Sequence, residues 1–359
     1  MTDLRYPVLR RSLPRSFKDL VKKVLESYPL SPLRKWYRGV GSVLMYHRIT
    51  DYKNFHTSWG DSSVFQPHLG LSVNAERFRE QMRYISQHCI PVPISDLDAV
   101  LAGEKSSKKP LVAVTFDDGY KDNLTLALPI AEEFQVPISI FVTTGFVSRT
   151  VGPWWLLLED VVRNSKSVTF GGEVFDCKSV TEKQQTFLSL DRAFRHATGE
   201  EQQRYLREIG AEPTESYLES LYLDWSEVKR LAEHSLVTIG AHTVTHPLLS
   251  QESRRIVRDE MLHSREVLEE NLLHPIKYFA YPFGDRLACG NREIEVASEL
   301  NFAIAFTTRS GHIFPDHVRH AMALPRITVD YFDDLPRFRR KLSGVESITS
   351  DPFHRIVTT

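Results

Sequence analysis

Short apolar runs that end abruptly in polar side chains constrain the fold of this chain more than any other feature. Leu111–Phe116 carries no charge and is followed at once by Asp-Asp-Gly at 117–119. Val237–Ala241 is followed by two histidines, His242 and His246. Apolar runs of this length bounded by turn residues are typical of buried parallel strands. Both segments therefore predict a strand that ends in side chains able to bind a metal.

Similar runs alternate with amphipathic segments along most of the chain. Further strands are predicted at residues 41–47, 138–142, 278–282 and 303–307. Helical spacing of apolar residues predicts helices at 75–87, 97–101, 124–134, 252–271, 292–300 and 332–341, and another that starts at Asp224. Alternating strands and helices favour a parallel sheet with functional groups at the carboxyl ends of its strands. The predicted fold class is α/β, a distorted (β/α) barrel with fewer than eight regular units.

The alternation is interrupted at residues 150–222, which are rich in charged and helix-forming residues. This segment is predicted to be a mainly helical insertion, with a short hairpin near 167–175. The predicted organisation is a basic N-terminal extension at 1–40, a catalytic domain at 41–345 and a C-terminal tail at 346–359.

Composition excludes several classes of protein. The chain of 359 residues is 42% hydrophobic and 25% charged with a net charge of −1, which gives no support for a nucleic-acid binder. Cys89, Cys177 and Cys289 are far apart, so a disulfide framework is not expected. No run approaches the roughly 20 apolar residues of a membrane span. The N-terminus lacks the apolar core of a secretory signal, so a cytoplasmic location is predicted.

Charge is concentrated at the N-terminus, where residues 1–40 carry ten Lys or Arg against three acidic residues. Apolar residues within 15–28 follow helical spacing between the basic ones. One interpretation is a basic amphipathic helix that contacts the anionic inner face of the membrane. The other is a helix packed on the domain with its basic face in solvent.

The Asp and His pairs suggest metal chemistry when they are taken together. Asp-Asp-Gly or two histidines four residues apart is weak evidence alone, but here each pair follows a buried strand. Two imidazoles and one carboxylate suit zinc or another divalent ion, such as cobalt, nickel or iron. The second carboxylate would be free to act as a base towards water activated by the metal.

The motifs resemble those of the NodB-type polysaccharide deacetylases. Residues 115–119 (Thr-Phe-Asp-Asp-Gly) and 242–246 (His-Thr-Val-Thr-His) are similar to the first two motifs of that family. Tyr-Pro-Phe-Gly at 281–284 resembles the third, and 323–327 resembles a late segment. Residues 44–48 (Leu-Met-Tyr-His-Arg) are similar to the opening strand of a branch that resembles poly-N-acetylglucosamine deacetylases. The resemblance implies hydrolysis of N-acetyl groups on an amino sugar.

The resemblance also implies a role for individual residues. Asp117 would be the catalytic base, and Asp118, His242 and His246 would hold the metal. The backbone N–H of Phe283 would help to stabilise the oxyanion, a contribution that typically amounts to roughly 3–4 kcal/mol.

Two departures from the family pattern affect the prediction. Ala280 stands where the third motif often has an arginine that orients the base, and we expect Arg326 to supply that guanidinium. The late Leu-x-His motif that supplies the acid is also missing, since Arg326 occupies its last position. His47, at the end of the first predicted strand, is the predicted acid, and a packed core histidine is the alternative.

Three aromatic residues are candidates for substrate binding. Trp154 and Trp155 could stack on sugar faces, although an aromatic pair before Leu156–Leu158 also suits a core. Tyr281 belongs to the third motif. His68 lies in the polar and aromatic segment 50–73, which is predicted to border the cleft.

The predicted function is metal-dependent removal of N-acetyl groups from an amino-sugar-containing glycan or glycolipid precursor. One alternative is a C–N hydrolase that acts on a non-sugar amide. The other is a carbohydrate-binding homologue with weak turnover, which the missing arginine and late histidine keep open.

Overall fold

The computed structural model describes residues 38–51, 64–105 and 107–344 of the chain. Its strands, in chain order, are β1 (Gly41–Tyr46), β2 (Arg48–Thr50), β3 (Ser72–Asn74), β4 (Ile90–Pro91), β5 (Leu111–Phe116), β6 (Ile138–Val142), β7 (Ser167–Phe170), β8 (Glu173–Asp176), β9 (Val237–Ala241), β10 (Tyr278–Ala280), β11 (Ile304–Phe306) and β12 (Ile327–Thr328). Its α-helices are α1 (Ala75–His88), α2 (Leu97–Leu101), α3 (Leu128–Phe134), α4 (Thr144–Val147), α5 (Trp154–Asn164), α6 (Val180–Arg195), α7 (Gly199–Glu208), α8 (Glu215–Leu221), α9 (Trp225–Ala232), α10 (Arg254–Leu272), α11 (Asn291–Glu299) and α12 (Leu335–Leu342).

The main sheet is parallel and places its strands in the order β11-β10-β9-β6-β5-β1-β12, with β4 paired to the start of β5. Every residue of β1, β5 and β6 is buried, because the sheet is covered on its outer face by helices and filled by side chains inside. This explains why these strands are mostly apolar in sequence rather than alternating.

The sheet curls until its two edges meet. Leu324 donates from its backbone N–H to the carbonyl oxygen of Ala305 in β11 at 2.9 Å, and Thr307, just after β11, donates back to Leu324 at 2.9 Å. Five residues on, Val329 donates to Met45 of β1 at 2.9 Å. The segment Leu324–Val329, which contains β12, therefore bridges β11 and β1, and the predicted distorted (β/α) barrel is confirmed.

Between residues 150 and 222 the chain leaves the barrel and forms α5, the β7–β8 hairpin, α6, α7 and α8. These elements supply most of a second apolar cluster, which includes Trp154, Phe187 and Phe194. The barrel resumes at Asp224, whose side chain accepts from the N–H of Glu227 and caps α9 as the sequence indicates.

Short elements are where the structure differs from the sequence-based expectation. The helix expected at 124–134 begins as one π-helical segment, Asn123–Ala127, before α3. The two-residue strand β12 and the β2–β3 pair were not expected, because two or three residues show no period. Strand β10 ends at Ala280, before Pro282, which has no N–H to donate to a neighbouring strand.

Cys89, Cys177 and Cys289 are all free and buried. In the part of the chain that the structure describes, no helix is both long and apolar enough to cross a membrane. The basic segment 15–28 and the tail 346–359 lie outside the described residues.

Candidate functional site

The polar residues that follow the strands converge at the carboxyl-terminal end of the barrel. Asp117 and Asp118 come directly after β5, and His242 comes directly after β9. A cavity of about 290 Å³ opens there, and these three side chains and His47 form part of its wall. The position agrees with the general rule for parallel barrels, in which functional groups lie at the carboxyl ends of the strands.

Asp118, His242 and His246 form a compact buried cluster. Oδ1 of Asp118 lies 3.4 Å from Nε2 of His242 and 3.3 Å from Nε2 of His246. Nδ1 of His242 contacts the carbonyl oxygen of Ala280 at 2.7 Å, which places the proton on Nδ1 and leaves the lone pair of Nε2 facing Asp118 in the neutral imidazole.

This geometry fits a divalent cation. The three ligand atoms lie within 4.8 Å of one another, and Oδ1 of Asp118 has no hydrogen-bond partner among the described residues. Burial alone would raise the pKa of Asp118, but the neighbouring His242 and His246 outweigh it and hold that pKa well below the usual range. A carboxylate and two imidazoles that face one point without a shared proton are a suitable ligand set for zinc and similar ions.

Asp117 is bound by a buried arginine. Arg326, with no exposed surface, donates from its two terminal nitrogens to Oδ1 and Oδ2 of Asp117, both at 2.7 Å. It also donates to Oγ1 of Thr115 and to the carbonyl oxygen of Thr307, both at 3.1 Å. Burial opposes ionisation of Asp117, but the charge of Arg326 outweighs burial and lowers its pKa. The structure thus pairs the two residues as the sequence indicates.

The backbone around the cluster adopts conformations that are rare for residues other than glycine. The φ angles of Asp118, Thr243, His246 and Phe283 are +76°, +65°, +59° and +57°. Residues in left-handed conformations persist only where their surroundings hold them, and they concentrate at functional sites.

Hydrogen bonds hold the histidine segment in this conformation. The carboxylate of Glu260, on α10, accepts from the N–H groups of Val244 and Thr245 at 2.8 and 2.9 Å. Oγ1 of Thr243 accepts from the N–H of His246 at 3.1 Å. Glu260 therefore fixes the stretch of backbone between the two imidazoles.

The aromatic candidates take different positions. Trp155 lines the cavity, with its ring 4.7 Å from that of His246. Trp154 is buried against Phe194, 5.1 Å between ring centroids, and does not line the cavity. Tyr281 is fully buried, and its hydroxyl donates to the carbonyl oxygen of Met322 at 2.9 Å. The expectation of substrate contact is therefore kept for Trp155, whereas the structure gives Trp154 and Tyr281 packing roles.

Other candidates also face the cavity. His47 and Phe283 form part of its wall, and so does His68 from the segment predicted to border the cleft. Glu159, on α5, contacts His68, but sequence reasoning missed it, as it missed Glu260. Both glutamates lie on ordinary amphipathic helices, so no local pattern distinguishes them from solvent-facing acids.

A family profile described as polysaccharide deacetylase matches residues 104–305. The poly-β-1,6-N-acetyl-D-glucosamine N-deacetylase of Escherichia coli K12 is 24% identical over 278 residues, which cover 77% of this chain and 36% of that protein. The enzyme of the same name from Escherichia coli O157:H7 is 32% identical over 107 residues, 30% of this chain and 14% of that protein. The chain spans about a third or less of the length of these curated relatives.

Solved structures share the fold. The Streptococcus pyogenes deacetylase PplD, in complex with acetate, superposes with a TM-score of 0.55 at 18% identity, over 84% of this chain and 97% of that one. IcaB from Ammonifex degensii gives a TM-score of 0.52 at 18% identity, over 86% and 98%.

Proposed function

The chain belongs to the polysaccharide deacetylase family, and from that membership we propose that it removes N-acetyl groups from an amino-sugar-containing glycan or glycolipid precursor. The observation that carries the proposal is one cavity that contains both the Asp118, His242 and His246 cluster and the Arg326-bound Asp117. The names of the E. coli relatives favour N-acetylglucosamine as the sugar.

We propose zinc as the ion held by Asp118, His242 and His246, with cobalt, nickel or iron as alternatives. When bound, such an ion supplies Lewis acidity, which polarises the acetyl carbonyl and makes water a better nucleophile.

Asp117 is the proposed base. Its lowered pKa keeps it ionised at neutral pH, so it can accept a proton from the attacking water. The two bonds from Arg326 fix the plane of the carboxylate and its position in the cavity. The N–H of Phe283 is proposed to stabilise the negative charge that develops on the acetyl oxygen. Trp155 is proposed to contact the sugar.

His47 is proposed to donate the proton that the leaving amine needs. It lies on the wall of the same cavity as Asp117, and its carbonyl oxygen accepts from the side-chain amide of Asn123 at 2.9 Å, which anchors the residue. The balanced reaction consumes one water and one acetamido group and gives acetate and an amine.

The weak-turnover alternative rested partly on the missing arginine at Ala280. Arg326 makes a two-point contact with the carboxylate of Asp117, so the absence of an arginine at position 280 is not an argument against turnover. Action on a non-sugar amide remains an outcome that the assay can detect.

The test is acetate release by the metal-loaded full chain, with zinc, cobalt and nickel in parallel. Substrates are β-1,6-linked N-acetylglucosamine oligomers, lipid-linked N-acetylated sugars and a panel of simple amides, and Asp117→Asn is the control. Acetate from the sugars that disappears in the control supports the proposal. Acetate release from the simple amides alone would indicate that the substrate is a non-sugar amide. Sugar binding without acetate release, whichever metal is added, would favour a carbohydrate-binding homologue.

We propose further that the segment 15–28 contacts an anionic membrane face, as a cytoplasmic peripheral protein would. Its basic and apolar residues alternate at helical spacing. Flotation of the full chain with vesicles containing anionic lipid, compared with neutral vesicles and with a Lys18, Lys22 and Lys23 to Glu variant, tests the contact. Equal flotation in all three arms would reject it.

A further inference from the structure

A second cavity adjoins the metal cluster on the side of the insertion. It has a volume of about 470 Å³ and lies between the segment 64–72 and helices α5 and α8. His68 and Leu71 belong to the walls of both cavities, so the two cavities adjoin at these residues. The second cavity has the size of an ordinary small-ligand site.

His68 is fixed at the junction by the insertion. Its Nδ1 lies 2.6 Å from Oε2 of Glu159, which is 8% exposed, and its ring packs edge-on against Phe187 at 5.2 Å. A carboxylate only accepts, so the Nδ1 proton points at Glu159 and Nε2 is left for another partner. A neutral Nε2 accepts a hydrogen bond and a protonated one donates, and a sugar hydroxyl can serve either state.

The charges of the second cavity favour a neutral polar occupant. Its two guanidinium groups are both paired: Arg48 with Asp122 at 3.1 Å, and Arg163 with Glu159 and Asp160. The two acidic side chains of the wall balance the two basic ones, so an anion gains no unpaired cation. Leucines from three elements, Leu71, Leu156 and Leu221, supply apolar surface beside these polar groups. Alternating apolar and hydrogen-bonding surface without net charge matches a pyranose ring.

We propose that this cavity is a second sugar subsite, built by the insertion, and that His68 contacts the substrate where it passes from the metal cluster into that subsite. The proposal rests on the proposed function, since it extends the same cleft. It places a second sugar of the glycan substrate in the cavity that the insertion builds.

The first experiment compares kcat/KM for acetate release by the zinc-loaded full chain from N-acetylglucosamine and from its β-1,6-linked dimer and trimer. Wild type should prefer the trimer to the monomer by at least about tenfold, the gain that one or two additional net hydrogen bonds produce. Leu156→Trp, which fills the second cavity, should reduce this preference to below about threefold. Leu188→Trp, at a 56% exposed position of the insertion, is the matched control and should keep the wild-type preference. No gain with chain length, or the same gain in Leu156→Trp, would overturn the proposal.

The second experiment measures binding without turnover. The Kd of the trimer for Asp117→Asn protein is measured by calorimetric titration. A second substitution in that background, either Leu156→Trp or His68→Phe, should raise this Kd about tenfold, whereas Leu188→Trp should leave it unchanged. His68→Phe retains a ring against Phe187 and removes only the hydrogen-bonding nitrogens. If no variant releases acetate but Leu156→Trp still weakens trimer binding, the deacetylase function fails and the subsite stands. Trimer binding that is absent, or equal in all variants, rejects the subsite.

Discussion

Replacing Arg326 by methionine is expected to destabilise the fold far more than the loss of an ordinary ion pair. Arg326 is completely buried and Asp117 is 2% exposed, and the two are joined by hydrogen bonds of 2.7 Å to each carboxylate oxygen. Methionine fills similar space but leaves the carboxylate without its partner. Removing one member of a buried pair typically costs about 3–5 kcal/mol, because a buried charge is left uncompensated.

A double-mutant cycle separates this pairing from the other contacts of Arg326. Asp117→Asn removes the charge that the methionine variant leaves unpaired, so the double variant should lose less stability than the two single losses combined. The contacts of Arg326 with Thr115 and Thr307 are lost both in Arg326→Met and in the double variant, so their contribution cancels from the coupling free energy. We expect a coupling free energy above about 1 kcal/mol, as for other residues in direct contact.

The assay is urea-induced unfolding at pH 7, followed by circular dichroism, for wild type, both single variants and the double variant. Arg254→Met is the control: Arg254 also pairs with two acids, Glu295 and Glu299, but it is 45% exposed, and its loss should cost less than about 1 kcal/mol. Losses that add within about 0.5 kcal/mol would refute the coupling. Arg326→Lys keeps the charge but not the two-point contact, and an unchanged kcat would refute the orienting role.

Three further predictions concern the acid, the histidine segment and acid stability. His47→Ala should lower kcat for acetate release by about 10²-fold or more, as expected for a general acid, without changing zinc content measured by atomic absorption; full activity would remove His47 from the mechanism. Glu260→Ala should weaken zinc affinity by about 10–100-fold, measured by competition with a chelator, because it frees the backbone between His242 and His246; unchanged affinity would contradict this. Burial, with a smaller contribution from Arg38, lowers the pKa of His312 from 6.5 to about 4. The unfolded chain therefore binds this proton first, and the free energy of unfolding should be highest above pH 6.5 and fall by about 2–3 kcal/mol towards pH 4.5; urea unfolding of His312→Gln should show a shallower fall, and an equally steep one would exclude His312 as the cause.

The reach of sequence reasoning can be seen in two adjacent residues. Trp154 and Trp155 are the same residue type in the same sequence context, yet of the two only Trp155 lines the metal cavity. Neighbours on a helix point about 100° apart, and the direction of each depends on how α5 packs. That packing is set by Phe194 and other residues of the insertion's own core, which no local pattern reveals. The candidate metal cluster was predictable because Asp118 and His242 stand at the ends of recognisable buried strands and His246 lies four residues beyond His242.

The closure of the barrel explains how Arg326 can contact Asp117 from so distant a point in sequence. Asp117 follows β5, and β12, which begins one residue after Arg326, is separated from β5 only by β1. In the other direction β10, which ends at Ala280, is separated from β5 by β6 and β9. In a closed barrel both routes lead to the same interior, so a guanidinium can approach the carboxylate from either side. Two-point recognition depends on where the guanidinium plane lies and not on which strand carries it. An arginine missing from one family motif is therefore weak evidence of lost catalysis until the opposite side of the barrel has been searched for a substitute.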